Sequence, residues 1–410
     1  MKDNNIKSVL LMGYNGANNT GSEARLLAIV QEVRKVLGDD IRITIPTICG
    51  EKLRRYIKEE ENLKIEDYPT VYFLALRRLV RRHDLILLTE GSCYMDTWSS
   101  CLLWAWLWVT LCAARYGNIV VAYAVDSGNL SDFNKRLVRH IASKTDLIIT
   151  RTEAAAERLR DYRVKAPITA SADSAFGFIP DPGDRAFLAD NWPETKDGVV
   201  GIAAVDFYLW PVVFRPFGKR KNCYRWPYYY SDSRKRREGR KKLAMDYARF
   251  ADHMIEQHGK PVALICMEEL DEPLAKQIKS SMRHAERVRI FSSGEYNASQ
   301  MTSILRSLEL LVTSRYHAGV LSLDSSVPQT AIGHDQRLRD LYRDLEIYDD
   351  YFLEYTDPQL FQLLEKRADR LMREPQCQWV SLQENSRIQH MRAKRNPELL
   401  AQLLNREEAF

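Results

Sequence analysis

The strongest constraint on the fold is an alternation, run twice along 410 residues, between apolar stretches of strand length and helix-like segments. In the first half the apolar runs are 9–12, 41–45, 85–89, 119–123, 147–150 and 168–170, separated by helical patterns at 22–37, 74–81, 99–116, 132–144 and 153–159. Strands that are apolar throughout must be covered on both faces, and helices between them supply the cover, so the pattern predicts βαβ units around a parallel sheet. After a Pro- and Gly-rich stretch at 181–197 the alternation starts again, with strands at 198–204, 262–267, 288–291, 310–313 and 329–332 and helices at 241–258, 272–282, 297–307 and 317–323. The expected architecture is therefore α/β, two Rossmann-like domains facing each other across a cleft. Residues 1–180 form the first, 181–197 the linker and 198–357 the second, with helices from 358 to 410 packing back on the first domain.

Size and charge narrow the class. A chain this long buries two sizeable cores without disulfides or metals. The seven cysteines, among them Cys223, form no CxxC pair, which argues for a reducing compartment and against a structural zinc site. The net charge is +5, yet residues 215–242 alone carry twelve Lys or Arg against Asp232 and Glu238. Any attraction to an anionic partner is thus local. This basic, tyrosine-rich stretch, 214–242, reads as a long, partly mobile insertion in the second domain. It suits a solvated loop, a surface for anionic lipid or glycan, or a nucleic-acid patch; with no recognised nucleic-acid module, lipid or glycan ranks above nucleic acid. The apolar stretch 101–114 is shorter than the ~20 residues a spanning helix needs. It is either a buried helix or, given Trp104, Trp106 and Trp108, one that faces a membrane interface. The chain leads from Met1 into a strand with no signal-peptide organisation, so the expected location is the cytoplasm, with peripheral contact at the inner face of the membrane left open.

Candidate site residues gather where predicted strands end. Gly13 to Ala24 follows the first strand and contains Gly16, Asn18, Gly21 and Glu23. Its glycines allow a tight turn and close backbone approach to a ligand, although the spacing is neither a Walker loop nor a dinucleotide fingerprint. The plain alternative is a βα turn capped by Ser22. Glu90-Gly91-Ser92 follows the strand at 85–89, Asp126 follows 119–123, and Asp173 follows 168–170. Arg151 follows 147–150 and is either a cation at the same sheet edge or the partner of Glu153. Near the far end, Arg315 and His317 leave the apolar run 308–312 together, an anion site with a proton carrier beside it. His334, Asp335 and Arg337 add a polar cluster after 329–332. No Ser-His-Asp order and no metal-ligand spacing raises hydrolytic or metal chemistry above background.

Taken in order from Val9 to Leu341, these motifs resemble the polysaccharide pyruvyl transferase family. The resemblance rests on Gly13-Tyr14 through Glu23-Ala24, Glu90-Gly91-Ser92, Arg151, Ala172-Asp173, Arg315-Tyr316-His317, Val327-Pro328 and His334-Asp335-Gln336-Arg337. It implies a GT-B-like fold and transfer of pyruvyl from phosphoenolpyruvate to two sugar hydroxyls of a cell-envelope polysaccharide or its lipid-linked precursor. It implies neither metal nor cofactor beyond that donor substrate. Under it Arg315 binds the donor's phosphate or carboxylate, and His317 is the proton carrier. Glu23, Glu90 and Asp173 line the cleft near the acceptor, with Arg151, Gly16, Asn18, Gly21, Gly91, Ser92, His334 and Arg337 as binding residues. Ser22, Ser92-Cys93 and Arg337 depart from the family pattern, which leaves two alternatives: a nucleotide-sugar glycosyltransferase of the same fold, and a non-catalytic glycan- or membrane-binding protein.

Overall fold

A computed structural model describes residues 6–219 and 226–405; Arg220 to Arg225, including Cys223, lie outside it. The first domain holds seven strands, β1 (Ser8–Met12), β2 (Arg42–Thr47), β3 (Leu63–Asp67), β4 (Leu85–Leu88), β5 (Ile119–Val125), β6 (Leu147–Thr150) and β7 (Ile168–Ala170). They pair in parallel in the order β3-β2-β1-β4-β5-β6-β7. Alternation within β1 shows why both faces need helices. Leu10 and Met12 pack with Leu76, Leu103 and Trp106 on one side, while Val9 and Leu11 pack with Leu26, Ile29 and Leu400 on the other.

The second domain repeats the plan with β8 (Val200–Ala203), β11 (Val262–Cys266), β12 (Val288–Ser292), β13 (Leu310–Thr313), β14 (Gln329–Gly333) and β15 (Phe352–Glu354), again parallel, in the order β12-β11-β8-β13-β14-β15. Each order reverses direction once, at β1/β4 and at β8/β13. Open α/β sheets leave a crevice beyond the strand ends at such a point. The edge strands β3 and β15 are additions to the sequence reading: β3 alternates buried Leu63 and Ile65 with outward polar residues, and β15 has three residues.

Where described, the basic insertion forms a strand pair and the start of a helix rather than a loop alone. A two-stranded antiparallel hairpin, β9 (Val212–Phe214) and β10 (Tyr228–Tyr230), crosses to the first domain, where Val212 N–H donates to Trp98 O at 2.9 Å. The basic run that follows is the opening of a long helix, Arg234–His258, begun by Ser233, whose Oγ accepts from Arg236 N–H, and ended by left-handed Gly259. Its first turns have no apolar stripe to read. They are held by Arg236 donating to the carbonyls of Tyr208 and Trp210 and by the Arg234–Glu238 pair at 2.8 Å.

The C-terminal helices also differ from expectation. Leu360–Arg373 packs on the second sheet, with Leu360, Leu364, Ala368 and Leu371 in that domain's core. Arg395–Leu403 places Leu400 and Ala401 in the first domain's core. The intervening helix, Gln376–Ala393, connects the two. Among the described residues no helix is long and apolar enough to cross a membrane, and the six cysteines are free. The 100–116 helix buries Trp106, leaves Trp104 partly exposed, and ties the Trp108 indole N–H to Phe73 O at 2.8 Å.

Candidate active site

Both switch points open into one pocket. It is lined from the first domain by Tyr14 and Asn19 beyond β1, Glu90 and Ser92 beyond β4, and Trp98; from the second by Glu268 beyond β11, Ser314 to His317 beyond β13, and His334, Asp335 and Arg337 beyond β14. The turn after β1 crosses the domain boundary to make this possible. Thr20 N–H donates to Met267 O at 2.8 Å, and Asn18 O accepts from Glu269 N–H at 3.2 Å and from Ser293 Oγ at 2.6 Å.

His317 is the most constrained group in the pocket. Its Nε2 lies 3.3 Å from Asp173 Oδ2, and its Nδ1 edge rests on Gly21, where a β-carbon would come within 2.0 Å. Burial lowers the imidazole pKa, against the pull of Asp173 upward, so the ring is neutral at neutral pH. Asp173 is fully buried and also meets Arg25 Nε at 3.1 Å and Arg151 at 2.6 Å. Burial opposes its charge, but Arg25, His317 and Arg151 together hold its carboxyl well below the usual range. A permanently ionised carboxylate behind a neutral imidazole fixes the ring's orientation and stabilises it if it takes up a proton.

The guanidiniums are less free than the sequence suggests. Arg315 donates from Nε to Asp271 Oδ2 at 3.0 Å, from Nη2 to Asp271 Oδ1, and from Nη1 to Glu268 Oε2 at 3.2 Å. Burial works against its charge, yet the two acids outweigh burial and raise its pKa. Burial also raises Glu268 and Asp271. Arg337 is likewise paired, with Nε and Nη2 at 2.9 and 2.6 Å from Asp335 Oδ2, and it stacks 4.8 Å over Trp98. Among the described residues His334 has no hydrogen-bond partner at either ring nitrogen, and it sits edge-on to Trp98; burial brings its pKa down to about 4. Glu90 accepts from Tyr14 N–H, Ser92 N–H and Ser92 Oγ, which leaves it half-buried at the pocket wall.

Other sequence candidates stand apart from the pocket. Glu23 is buried against the second domain near Arg55, at 3.5 Å, and burial pushes its carboxyl up to about 8. Arg151 is neither a cleft cation nor the partner of Glu153: it is fully buried between Asp126 and Asp173, 4.0 Å over the Tyr316 ring, and Glu153 pairs with Arg160. Gly91 gives it room, since a β-carbon there would be 2.8 Å from Arg151 Nη1. Gly16 adopts φ +79° and packs on Thr47 and Cys49, and Asn18 donates to Glu269 at 2.7 Å. Gly16 shapes the turn within the first domain, Asn18 belongs to the domain joint, and Gly21 serves His317 rather than a ligand.

Sequence reasoning missed Glu268 and Asp271, although both follow an apolar strand as Glu90 and Asp173 do, a signal that would have found them. It also missed Trp98 and Trp210, which meet edge to face at 4.6 Å and wall the pocket. Nothing local in the sequence marks that pair.

The family model for polysaccharide pyruvyl transferase matches residues 19–336, more than three-quarters of the chain. No curated protein matches by sequence. Among solved structures, HepE of Anabaena in complex with UDP-glucose is similar over 97% of this chain and 99% of that one, with a TM-score of 0.60 and 13% identity. MnaA of S. aureus with UDP has a TM-score of 0.63 at 10% identity, covering 95% and 94%. UDP-GlcNAc 2-epimerase of Neisseria meningitidis bound to UDP-GlcNAc has 0.61 at 9%, covering 98% and 100%. At such identities the likeness is one of fold, the two facing Rossmann-like domains of GT-B proteins.

Proposed function

Because the chain belongs to the polysaccharide pyruvyl transferase family, we propose that it transfers pyruvyl from phosphoenolpyruvate onto two hydroxyls of a sugar in a cell-envelope polysaccharide or its lipid-linked precursor. The observation that carries this reading is a neutral His317, braced by Asp173, on the same wall as Arg315 and Arg337. The reaction needs few groups. A proton added to C3 of the enol makes C2 electrophilic, one hydroxyl attacks C2, and the C2–O bond to phosphate breaks. The second hydroxyl then closes the ketal. One hydroxyl proton ends on the new methyl group and the other on the released phosphate.

His317 relays a proton between hydroxyl and enol; with Nε2 on Asp173 and Nδ1 against Gly21, the ring must first turn off one of these contacts to reach the substrate. Glu90, held on one side by Ser92 and Tyr14 N–H, orients the sugar hydroxyls from the first domain. Trp210, half-buried and set edge to face against Trp98, offers an aromatic wall to a sugar ring. Arg315 and Arg337 receive the donor's carboxylate and phosphate, and for Arg315 this requires Glu268 and Asp271 to yield. Their pKa values are already raised by burial, so protonating them is the low-cost route.

The paired guanidiniums favour a second reading, transfer from a nucleotide sugar, which brings less charge than a trianionic donor; HepE, of similar fold, has UDP-glucose bound. The thermal unfolding midpoint separates the two. Phosphoenolpyruvate is expected to raise it in the parent and not in Arg315→Ala, and sugar-dependent phosphate release should follow. A rise with UDP-glucose and none with phosphoenolpyruvate would overturn the pyruvyl reading.

A further inference from the structure

We propose that one face of the first domain, completed by the β9–β10 hairpin, docks on an anionic lipid bilayer. Three surface segments meet there, residues 69–82, 97–117 and the described parts of 207–231, 207–219 and 226–231. The hairpin is pinned to the first domain by Val212 N–H on Trp98 O and by Thr70 Oγ1 donating to Trp226 O at 3.1 Å, and Tyr228 packs on that domain's core. On the other side of Thr70, the Phe73 ring meets Trp108 edge to face at 5.6 Å. Val71, Phe73 and Leu74 thus lie between the hairpin and the 100–116 helix. Phe217, Phe214 and Leu74 are 84%, 70% and 68% exposed, with Trp226 at 58%. So many large apolar side chains in the open on adjoining elements mark an interaction surface.

Charge names the occupant. The described parts of the three segments contain no Asp or Glu, while they carry Arg77, Arg78, Arg81, Arg82, Arg115, Arg215 and Lys219. That is seven cations in segments of a chain whose net charge is +5, so the remainder is net negative. The flanking acids are each engaged: Glu66 pairs with Arg82 at 2.6 Å, Asp96 accepts from Ser131 N–H and Asn134 Nδ2, Asp206 pairs with Arg240, and Asp232 with Arg237 at 2.8 Å. Aromatic and aliphatic side chains at the headgroup level, surrounded by Arg and Lys facing lipid phosphate, are what an interfacial surface requires. A nucleic-acid surface would use the cations and has no need of Leu74 or Phe217 in the open.

The surface connects to the candidate site. An apolar cavity lined by Tyr68, Tyr72, Leu102, Trp106 and Tyr228 draws on the same segments, and it shares Tyr14 and Leu102 with the pocket that holds His317. An acceptor whose lipid remains in the bilayer would reach the pocket along this side. That consequence rests on the pyruvyl-transfer reading; the docking does not.

The test is co-sedimentation of the full chain with vesicles of phosphatidylcholine alone and of phosphatidylcholine mixed with phosphatidylglycerol, at low and high salt, without donor or acceptor. Binding is expected to the mixed vesicles, weakened by salt. It should fall by at least about ten-fold in a Leu74→Ser, Phe217→Ser double variant, since a single buried apolar side chain is worth that much in partitioning. Both positions are exposed, so an unchanged melting curve confirms that the variant folds. Absence of binding to the mixed vesicles, or binding that the double variant retains in full, overturns the proposal. Equal displacement of both proteins by an oligonucleotide would identify a polyanion surface instead and overturn it too. None of these outcomes bears on turnover with a water-soluble acceptor, so failure of the docking and failure of the transferase reading are distinguishable.

Discussion

Replacing Gly21 by Ala sets two effects of opposite sign against each other. Gly21 lies in the Thr20–Leu37 helix, where Ala is the better helix former by about 1 kcal/mol. Against this, the new β-carbon would fall 2.0 Å from His317 Nδ1 and 2.2 Å from Cγ. Carbon and nitrogen need about 3.5 Å, so the ring must retreat by ~1.5 Å or the helix must back away. Retreat breaks the 3.3 Å contact with Asp173; backing away opens the 2.8 Å bond from Thr20 N–H to Met267 O. Asp173 keeps Arg25 and Arg151, so the loss is about one hydrogen bond to a charged group, ~1.5–3 kcal/mol. Net of helix propensity, the variant should be less stable by about 0.5–2 kcal/mol, a fall of up to a few degrees in unfolding midpoint. Turnover should suffer far more, since a misplacement of about 1 Å at a reacting group costs roughly 10²-fold. Urea unfolding and sugar-dependent phosphate release measure the two separately. A variant as stable as the parent and as active would refute the close packing of His317 on this helix and its role as proton carrier together.

Asp173→Asn leaves Arg25 and Arg151 buried without their shared charge, and breaking a buried pair in this way costs about 3–5 kcal/mol; an unchanged unfolding midpoint would count against the network. Glu23 and Glu32 are both pushed up to about 8 by burial, from 4.5. With folded values above unfolded ones, the folded state binds the extra protons, so their favourable contribution is complete below about 4.5 and disappears as pH rises toward about 8. The midpoint should decline over that window, and Glu23→Gln with Glu32→Gln should flatten the decline; an identical slope in the double variant would refute the assignment. If an anionic donor displaces Glu268 and Asp271 from Arg315, binding takes up protons and weakens as pH rises, by up to about ten-fold per pH unit for each proton. Calorimetry in buffers of different ionisation enthalpy counts those protons, and Glu268→Gln should bind more tightly with a flatter pH dependence. Zero uptake in the parent would end that argument.

What was legible in the sequence follows from where its information is local. Strands covered on both faces are apolar throughout, and the eleven predicted from such runs are all found among the thirteen strands of the two sheets; β3, with polar residues on its outer side, and three-residue β15 lack that signature. Strand ends are local too, and they brought Glu90, Ser92, Arg315, His317, His334 and Arg337 to one pocket. Partnership is not local. Glu153 stands beside Arg151 in the chain, yet the partners of Arg151 are Asp126 and Asp173, from the ends of the two strands that flank β6. Arg315 and His317 look like a cation and a base waiting for an anion. Sheet order instead brings the end of β11 close enough for Glu268 and Asp271 to neutralise Arg315, while Asp173 crosses from the first domain to hold His317. Gly21 belongs to a glycine-rich motif that suggested close backbone approach to a ligand, but in the first turn of its helix its missing side chain makes room for a histidine of the other domain. In a two-sheet fold the sequence tells which charges reach the cleft, and topology decides which remain free once they arrive. For this chain that difference turns a presumed open anion clamp into one that must first release two carboxylates.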